Sequence, residues 1–273
     1  MKPLIPYAGS KWRVADWIIS YMPGHQVYVE PYFGSGAVFF NKIPARAEVI
    51  NDLCDDVVNL FRVIRERSGE LVAAVEMTPW ARAEYELSYI PVEEPIEKAR
   101  RFIIRCRQAF GTKKIHKTGW RRIGPNFNSS DYHLYTPEWR NLPGRIMEVA
   151  ERLRDAQVEN LPALELIERF RGPDVLLYID PPYPLDTRGR KKMYAFEMTD
   201  TDHADLLALL DLHPGPVMVS GYRCELYDEA LSRWKRVSRN AVAQCGARRV
   251  ESLWLNAPCV ERLGGFLPLE AQS

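Results

Sequence analysis

Strand-type and helix-type apolar spacings alternate at both ends of this chain, and that alternation limits the fold more than any other feature. In the first 66 residues, "KWRVADWIISYM" sets Val14, Trp17, Ile18 and Tyr21 at helical spacing, and "VYVEP" is a short β-type run. "GSGAVFFNK" then turns through glycines into a second helix, "AEVIND" is a second strand, and "DDVVNLFRVIRER" aligns Val57, Leu60, Phe61 and Ile64 on one helical stripe. From residue 157 the alternation resumes, with strands in "QVENL", "DVLLYID" and "GPVMVSG" and helices in "ALELIERF", "DTDHADLLALLDL" and "CELYDEALSRW". Two last runs, "KRVSRNAVAQ" and "VESLWLN", joined by "CGARR", are spaced as a strand pair. The pattern predicts a largely parallel α/β sheet covered on both faces, with an antiparallel hairpin at its edge.

The middle of the chain breaks the pattern. "PIEKARRFIIRCRQAF" and "WRNLPGRIMEVAERLRDA" are helical, and the "GTKKIHKTGWRRIGPNFNSSDYHLYTP" between them is a Gly-, Lys-, Asn- and Ser-rich loop without a convincing strand. The expected organisation is therefore a first part of a catalytic domain at 1–66, a helical insert at 67–156, and the rest of that domain at 157–273. A chain of 273 residues with 46% hydrophobic content supports one or two such domains.

Charge is distributed unevenly. The net charge is only +1, yet Lys98 to Ser130 holds ten Lys or Arg and no Asp or Glu, leaving 27 basic against 36 acidic residues elsewhere. Such a segment is either a solvated face or a phosphate-binding surface. Five cysteines, with no close C-x-x-C pair, argue against a disulfide framework and a zinc ribbon and favour a reducing, cytoplasmic setting. No run approaches the ~20 apolar residues of a membrane span, and no signal peptide is expected.

Ligands of a doubly wound sheet bind at the carboxyl ends of its strands. Three such places stand out. In "VEPYFGSG", Glu30 ends a strand, Phe33 follows, and Gly34 and Gly36 permit a tight turn and close backbone approach. In "VIND", Asp52 is placed either to accept ribose hydroxyls or to cap the next helix. In "LLYIDPPY", a buried strand runs straight into Asp180, Pro181, Pro182 and Tyr183. An ionised Asp180 only accepts hydrogen bonds, and the Pro181 carbonyl is held in place by ring-locked backbone. Two fixed acceptors suit a group with two N–H donors, such as the exocyclic amine of adenine, whose lone pair they help to localise as a methyl group arrives. Tyr183 offers a ring for the base to stack on. The role requires an Asp180 that faces a cavity and is not consumed by an ion pair within the fold.

"PYAGSK" (6–11), "VEPYFGSG" (29–36), "ND" (51 and 52) and "YIDPPY" (178–183), in this order around a helical insertion, resemble the Dam-like DNA adenine N6-methyltransferases, most closely the phage-type members. The resemblance runs on through "YAFEMTDTDHADLLALL", "VMVSGYRCELYDEAL" and "ESLWLN". It implies S-adenosylmethionine as cofactor, double-stranded DNA as substrate, a Rossmann-like seven-stranded sheet and an inserted target-recognition domain. It also implies that Tyr7, Ala8, Gly9, Ser10 and Lys11 lie along the methionine end of the cofactor with Glu30 nearby. Phe33, Gly34, Ser35 and Gly36 would pass beneath it and Asp52 would hold the ribose. Asp180 and Pro181 would bind the amine, with Pro182 and Tyr183 completing the motif and Asp180 also touching the cofactor. One departure is "ENLPAL", where related sequences often carry an acid; Asn160 or backbone would then serve the cofactor adenine.

An adenine inside a duplex must be extruded before its amine can react. Lys113, Lys114, Lys117, Arg121 and Arg122 would supply phosphate contacts, with Trp120 either a wedge or base reader in the DNA or a core anchor of the insert. Arg188, Arg190, Lys191 and Lys192 would close over the flipped nucleotide or form a solvated loop. No His, Cys or acidic cluster has metal-ligand spacing, so chemistry without a metal is expected, and no histidine is assigned to catalysis. The rival readings are the same transfer to cytosine N4 or to adenine in RNA, and a DNA-binding protein of the same fold without turnover. Oligomeric state is not readable from the sequence.

Overall fold

The computed structural model describes residues 1–110, 117–121, 137–188, 193–242 and 248–264. These fall into two compact units, one of residues 9–53 and 156 onward, the other of residues 1–8 and 54–155.

The first unit is built on a seven-stranded sheet of order β3-β2-β1-β4-β5-β7-β6. Its strands are β1 (Val27–Glu30), β2 (Ala47–Asn51), β3 (Ala156–Glu159), β4 (Val175–Ile179), β5 (Val217–Gly221), β6 (Lys235–Val242) and β7 (Arg248–Leu255). The first five pair in parallel, while β7 runs antiparallel to both β5 and β6. This is the predicted sheet with its antiparallel edge. Strands β4 and β5, "VLLYI" and "VMVSG", are buried at every position, as central strands covered on both faces must be. Alternation along β4 sends Val175, Leu177 and Ile179 into an apolar core with Val29, Val219, Leu206 and Leu210. Leu176, Tyr178 and then Asp180 continue the opposite face.

Helices α1 (Ala15–Ser20), α6 (Ala163–Arg169), α7 (Asp200–Asp211), α8 (Glu225–Ala230) and α9 (Ala257–Arg262) accompany the sheet. Helix α7 starts at Thr199, whose hydroxyl accepts the Asp202 amide while Asp202 accepts the Thr199 amide, a reciprocal cap. The expected helix after "FGSG" is not formed. Residues 34–42 make successive turns, such as Phe40 N–H to the Gly36 carbonyl at 2.9 Å. Two glycines with positive φ at its start and Pro44 at its end leave too short a run for cooperative helix formation. Packing of Phe39 and Phe40 against Phe33 at centroid distances of 5.6 and 5.7 Å holds the turns instead.

The second unit consists of α2 (Asp55–Glu76), α3 (Arg82–Leu87), α4 (Pro95–Gln108) and α5 (Leu142–Leu153) with the N-terminal residues 1–8. Helix α2 is kinked at Arg67, where φ is −138°. It packs with α4 and α5, and this unit takes in all of α2 from Cys54 onward as well as residues 1–8. Helix α4 is capped by the Glu94 carboxylate, which accepts the Glu97 amide at 2.7 Å, with Pro95 in the first turn where its missing N–H costs nothing. Its buried stripe is Ala99, Phe102, Ile103 and Cys106, and that of α5 is Leu142, Ile146, Val149 and Leu153. In the segment read as strandless, Ala109 and Trp120 form an antiparallel bridge.

Candidate active site

The sheet order reverses between β1 and β4: the chain proceeds outward through β2 and β3 on one side and through β5 on the other. A crevice at the carboxyl ends of these two strands is the place where such a sheet binds ligands. Glu30 is the last residue of β1, and Asp180 directly follows β4.

Lys11 reaches this point from the N-terminal segment of the sheet unit. Its ammonium lies 2.8 and 2.9 Å from the two Asp180 carboxylate oxygens and 2.7 Å from the Gly9 carbonyl. The Lys11 and Asp180 side chains are only 6% and 17% exposed. The requirement of an unpaired Asp180 is thus not met, and the reason is electrostatic: a lone carboxylate at this depth would take up a proton. Burial raises the pKa of Asp180, and Lys11 acts against that rise. Burial likewise disfavours the Lys11 ammonium, but Asp180, Glu251 and Tyr194 outweigh it and keep the ammonium charged. The pair leaves acceptor capacity, because Asp180 Oδ1, although 2.8 Å from the ammonium, meets no aligned hydrogen-bond donor, and each carboxylate oxygen carries two lone pairs. Gly9 has φ +72°, and a side chain there would collide with the Tyr194 hydroxyl, so this approach needs glycine.

Tyr183 is only 4% exposed. The Lys11 ammonium sits 4.7 Å from its ring centroid, its hydroxyl donates to Glu251, and half-buried Tyr222 meets it edge-on at 4.7 Å. It is therefore a wall of the crevice rather than the open stacking face expected. Glu251, from β7, was missed by sequence reasoning, although one acid inside the apolar run "VESLWLN" is a signal of sorts. Burial raises its pKa. Glu30 is also buried, accepts the Tyr28 hydroxyl at 2.7 Å, and is pushed up to about 8, chiefly by burial with Asp180 adding to it.

The "FGSG" turn lies on the same unit. Gly34 and Gly36 have φ of 51° and 66°, and the Gly34 amide donates to Asp52 Oδ2 at 2.8 Å. Ser35 and Ser10 hydroxyls are 3.0 Å apart, tying this turn to the segment that carries Lys11, and Phe33 is buried in the aromatic cluster. Asn51, quoted in the "ND" motif but given no role of its own from sequence, clamps β2 to the turn after β1 through the Pro31 carbonyl and to the loop after β3 through both backbone groups of Leu161. Asn160 donates to the Asp52 carbonyl at 2.7 Å, bracing that loop. Tyr7 and Ala8 belong to the helical unit, whereas Gly9 to Lys11 belong to the sheet unit.

Among the residues read as DNA contacts, Lys113, Lys114, Arg122, Arg190, Lys191 and Lys192 lie outside the described residues. Lys117 is exposed, 5.9 Å from the Tyr89 ring centroid. Trp120 is half-buried, donates to Gln108 Oε1 at 3.2 Å and carries the Arg82 guanidinium 5.0 Å from its ring, which favours the anchor reading over the wedge. Arg121 is half-buried and its backbone joins Gln108 and Trp80. Arg188 is no open phosphate clamp: its side chain is 6% exposed, ion-paired with Glu197 and hydrogen-bonded to the Tyr183 carbonyl at 2.7 Å. The cations of α4 are likewise engaged within the fold. Arg100 and Arg101 pair with Glu97, Arg100 also with Glu84, Arg105 with Asp56, and Arg107 with Glu138 and the Leu4 carbonyl.

Among the described residues no group of three or more His, Cys, Asp or Glu could hold a metal ion, and no helix is long and apolar enough to cross a membrane. His203 is buried in the first turn of α7, 3.1 Å from the Tyr227 hydroxyl.

A family profile described as D12 class N6 adenine-specific DNA methyltransferase matches residues 7–244. The DNA adenine methylase of Escherichia coli (strain K12) is 24% identical over 266 residues, covering 91% of this chain and 92% of its own. That of Salmonella typhi is 24% identical over 252 residues, covering 87% and 85%. The type II methyltransferase M.MjaIII of Methanocaldococcus jannaschii is 20% identical over 289 residues, covering 93% and 97%.

Proposed function

The chain belongs to the D12 class N6 adenine-specific DNA methyltransferases, and from that premise we propose how its residues divide the work, with S-adenosylmethionine as methyl donor. The cofactor would supply the methyl group as part of a sulfonium, an electrophile that needs no metal. Lys11, Gly9, the Phe33 to Gly36 turn and Asp52 would hold it, with Tyr7 and Ala8 as further candidates. Two features support the fit: a glycine turn whose amide already orients the Asp52 carboxylate, and a buried Asp180 oxygen with no aligned donor.

The observation that carries the reading is the convergence of Lys11 and Asp180, 169 residues apart, beside the Pro181–Pro182 corner. Lys11 opposes the protonation that burial favours at Asp180, and an ionised Asp180 with the Pro181 carbonyl accepts the two N–H bonds of an adenine amine. Those acceptors stabilise positive charge as it develops on the amine nitrogen. The proton leaves after transfer, so no strong base is required. We read the aromatic surface for the extruded base as half-buried Tyr222, backed edge-on by the Tyr183 ring. The helical unit is proposed as the target-recognition module, with exposed Lys117 as a phosphate contact. Solution in the cytoplasm fits the same reading.

The test is transfer of label from S-adenosylmethionine to double-stranded DNA, followed by digestion and mass spectrometry of the nucleosides. N6-methyladenine is expected, and N4-methylcytosine or a preference for RNA would redirect the assignment. Asp180→Ala should lower the transfer rate by about 10²–10³.

A further inference from the structure

The Tyr183 hydroxyl is hydrogen-bonded to Glu251, also lies within hydrogen-bonding reach of Asp180, and has one proton to give. It gives it to Glu251. Tyr183 is three positions after Asp180, and the Lys11 ammonium borders both, 2.8 Å from the carboxylate and 4.7 Å from the ring centroid. All of these side chains belong to the sheet unit and all are largely buried, so no bulk water offers the hydroxyl an alternative partner. Asp180 Oδ1, meanwhile, is ion-paired with the Lys11 ammonium but has no aligned hydrogen-bond donor.

We propose that Glu251 is a positioning residue for methyl transfer: it claims the Tyr183 hydroxyl proton and fixes the ring, so that Asp180 keeps an oxygen for the substrate amine. The inference rests on the reading of Asp180 as the amine acceptor. Without an acceptor at position 251, a buried hydroxyl must still find a partner, because leaving it unsatisfied is costly. Asp180 is the neighbouring anion. A hydroxyl that turned to Asp180 would occupy the lone pair that the amine needs, and the ring would move with it. Glu251 is well placed to prevent this, since β7 is held on both sides, by β5 and by β6, and its backbone is not free to shift.

The proposal makes an unusual demand, that a second deletion should repair the first. Single-turnover transfer is measured with saturating S-adenosylmethionine and DNA for Glu251→Ala, Glu251→Gln, Tyr183→Phe and the Glu251→Ala/Tyr183→Phe double variant. Glu251→Ala should be slower by about tenfold, the scale of one hydrogen bond to a charged group. Glu251→Gln keeps an acceptor for the hydroxyl and should stay within about threefold of the parent, a difference below one ordinary hydrogen bond. The double variant has no hydroxyl to misdirect and should recover to the rate of Tyr183→Phe alone. Cofactor affinity, measured by calorimetry, should not weaken in any of the four. A double variant slower than Glu251→Ala by the full Tyr183→Phe factor would overturn the proposal, since a purely structural role gives losses that multiply. Should Glu251→Ala fail to fold, the near-isosteric Glu251→Gln decides the matter: a rate as low as that of Asp180→Ala would overturn it. Asp180→Ala tests the premise separately, because undiminished transfer there would remove Asp180 as acceptor whatever Glu251 does.

Discussion

The two units handle charge in opposite ways. In the helical unit, a stretch of α4 that looks purely cationic in sequence is met by acids from other helices and loops: Asp55, Asp56, Glu84 and Glu138. In the sheet unit, Asp180 and Glu251 both act on one buried lysine, Lys11, while buried Glu30 feels Asp180 as well as the buried Lys42. The first arrangement removes an apparent binding surface. The second concentrates an imbalance where a cationic reaction centre is expected. A run of like charge along the chain is therefore a weaker guide to function than uncompensated charge in the folded interior, since desolvation penalises only the latter.

The largest way to break this contrast is Lys11→Met. It leaves Asp180 buried without its cation, so about 3 kcal/mol of stability should be lost in denaturant unfolding. Transfer should also need a higher pH, because Asp180 then ionises later; an unchanged acid limb of the rate profile would mean that Lys11 does not control Asp180. Next comes Arg107→Ala in the helical unit. Arg107 donates to the Leu4 carbonyl at 2.6 and 2.8 Å and to Glu138 at 2.8 Å, and it is buried. Its removal should cost about 2–3 kcal/mol through stranded acceptors, with DNA affinity of the folded fraction unchanged.

Glu30 gives a pH-dependent test. Its pKa is raised from 4.5 to about 8, so between those values the folded state binds more protons than the unfolded state. The associated stability is present below the unfolded value and is lost as pH rises toward the folded one. Glu30→Gln removes that dependence, and its stability relative to the parent should improve by about 2 kcal/mol from pH 6 to pH 8. A constant difference would show that Glu30 stays ionised in the fold. The smallest effect sharpens the comparison from the helical side. Replacing Lys98, paired with Asp55, by Gln should change stability by less than about 0.5 kcal/mol. Its salt dependence of DNA binding should also stay put, whereas Lys117→Ala should reduce the slope by about 0.9 if Lys117 touches a phosphate.

Much of the sheet could be read in advance. Each of the seven strands carries its own signal, either an apolar run such as "VLLYI" or an alternating one at the edge, and Thr199 announces α7. The helix expected after "FGSG" failed because tertiary aromatic packing and two positive-φ glycines outweighed a short helical spacing. At the candidate site, Lys11, Asp52, Asp180 and the glycine turn were legible because each sits in a compact motif. The roles of Glu251, Asn51 and Tyr222 were not, since they depend on partners 68, 110 and 39 positions away.

Local order was thus settled by the sequence itself: which segments become strands, where turns demand glycine, and where a rigid two-proline corner ends β4. These depend on backbone sterics and on neighbours a few residues apart. Which charges cancel and which remain was decided only by the tertiary structure. The energy of an ion pair depends on distance in space and on exclusion of water, and neither is encoded at any one position along the chain. Arg188 and Trp120 show the outcome, each an apparent DNA contact that the fold turns toward partners of its own.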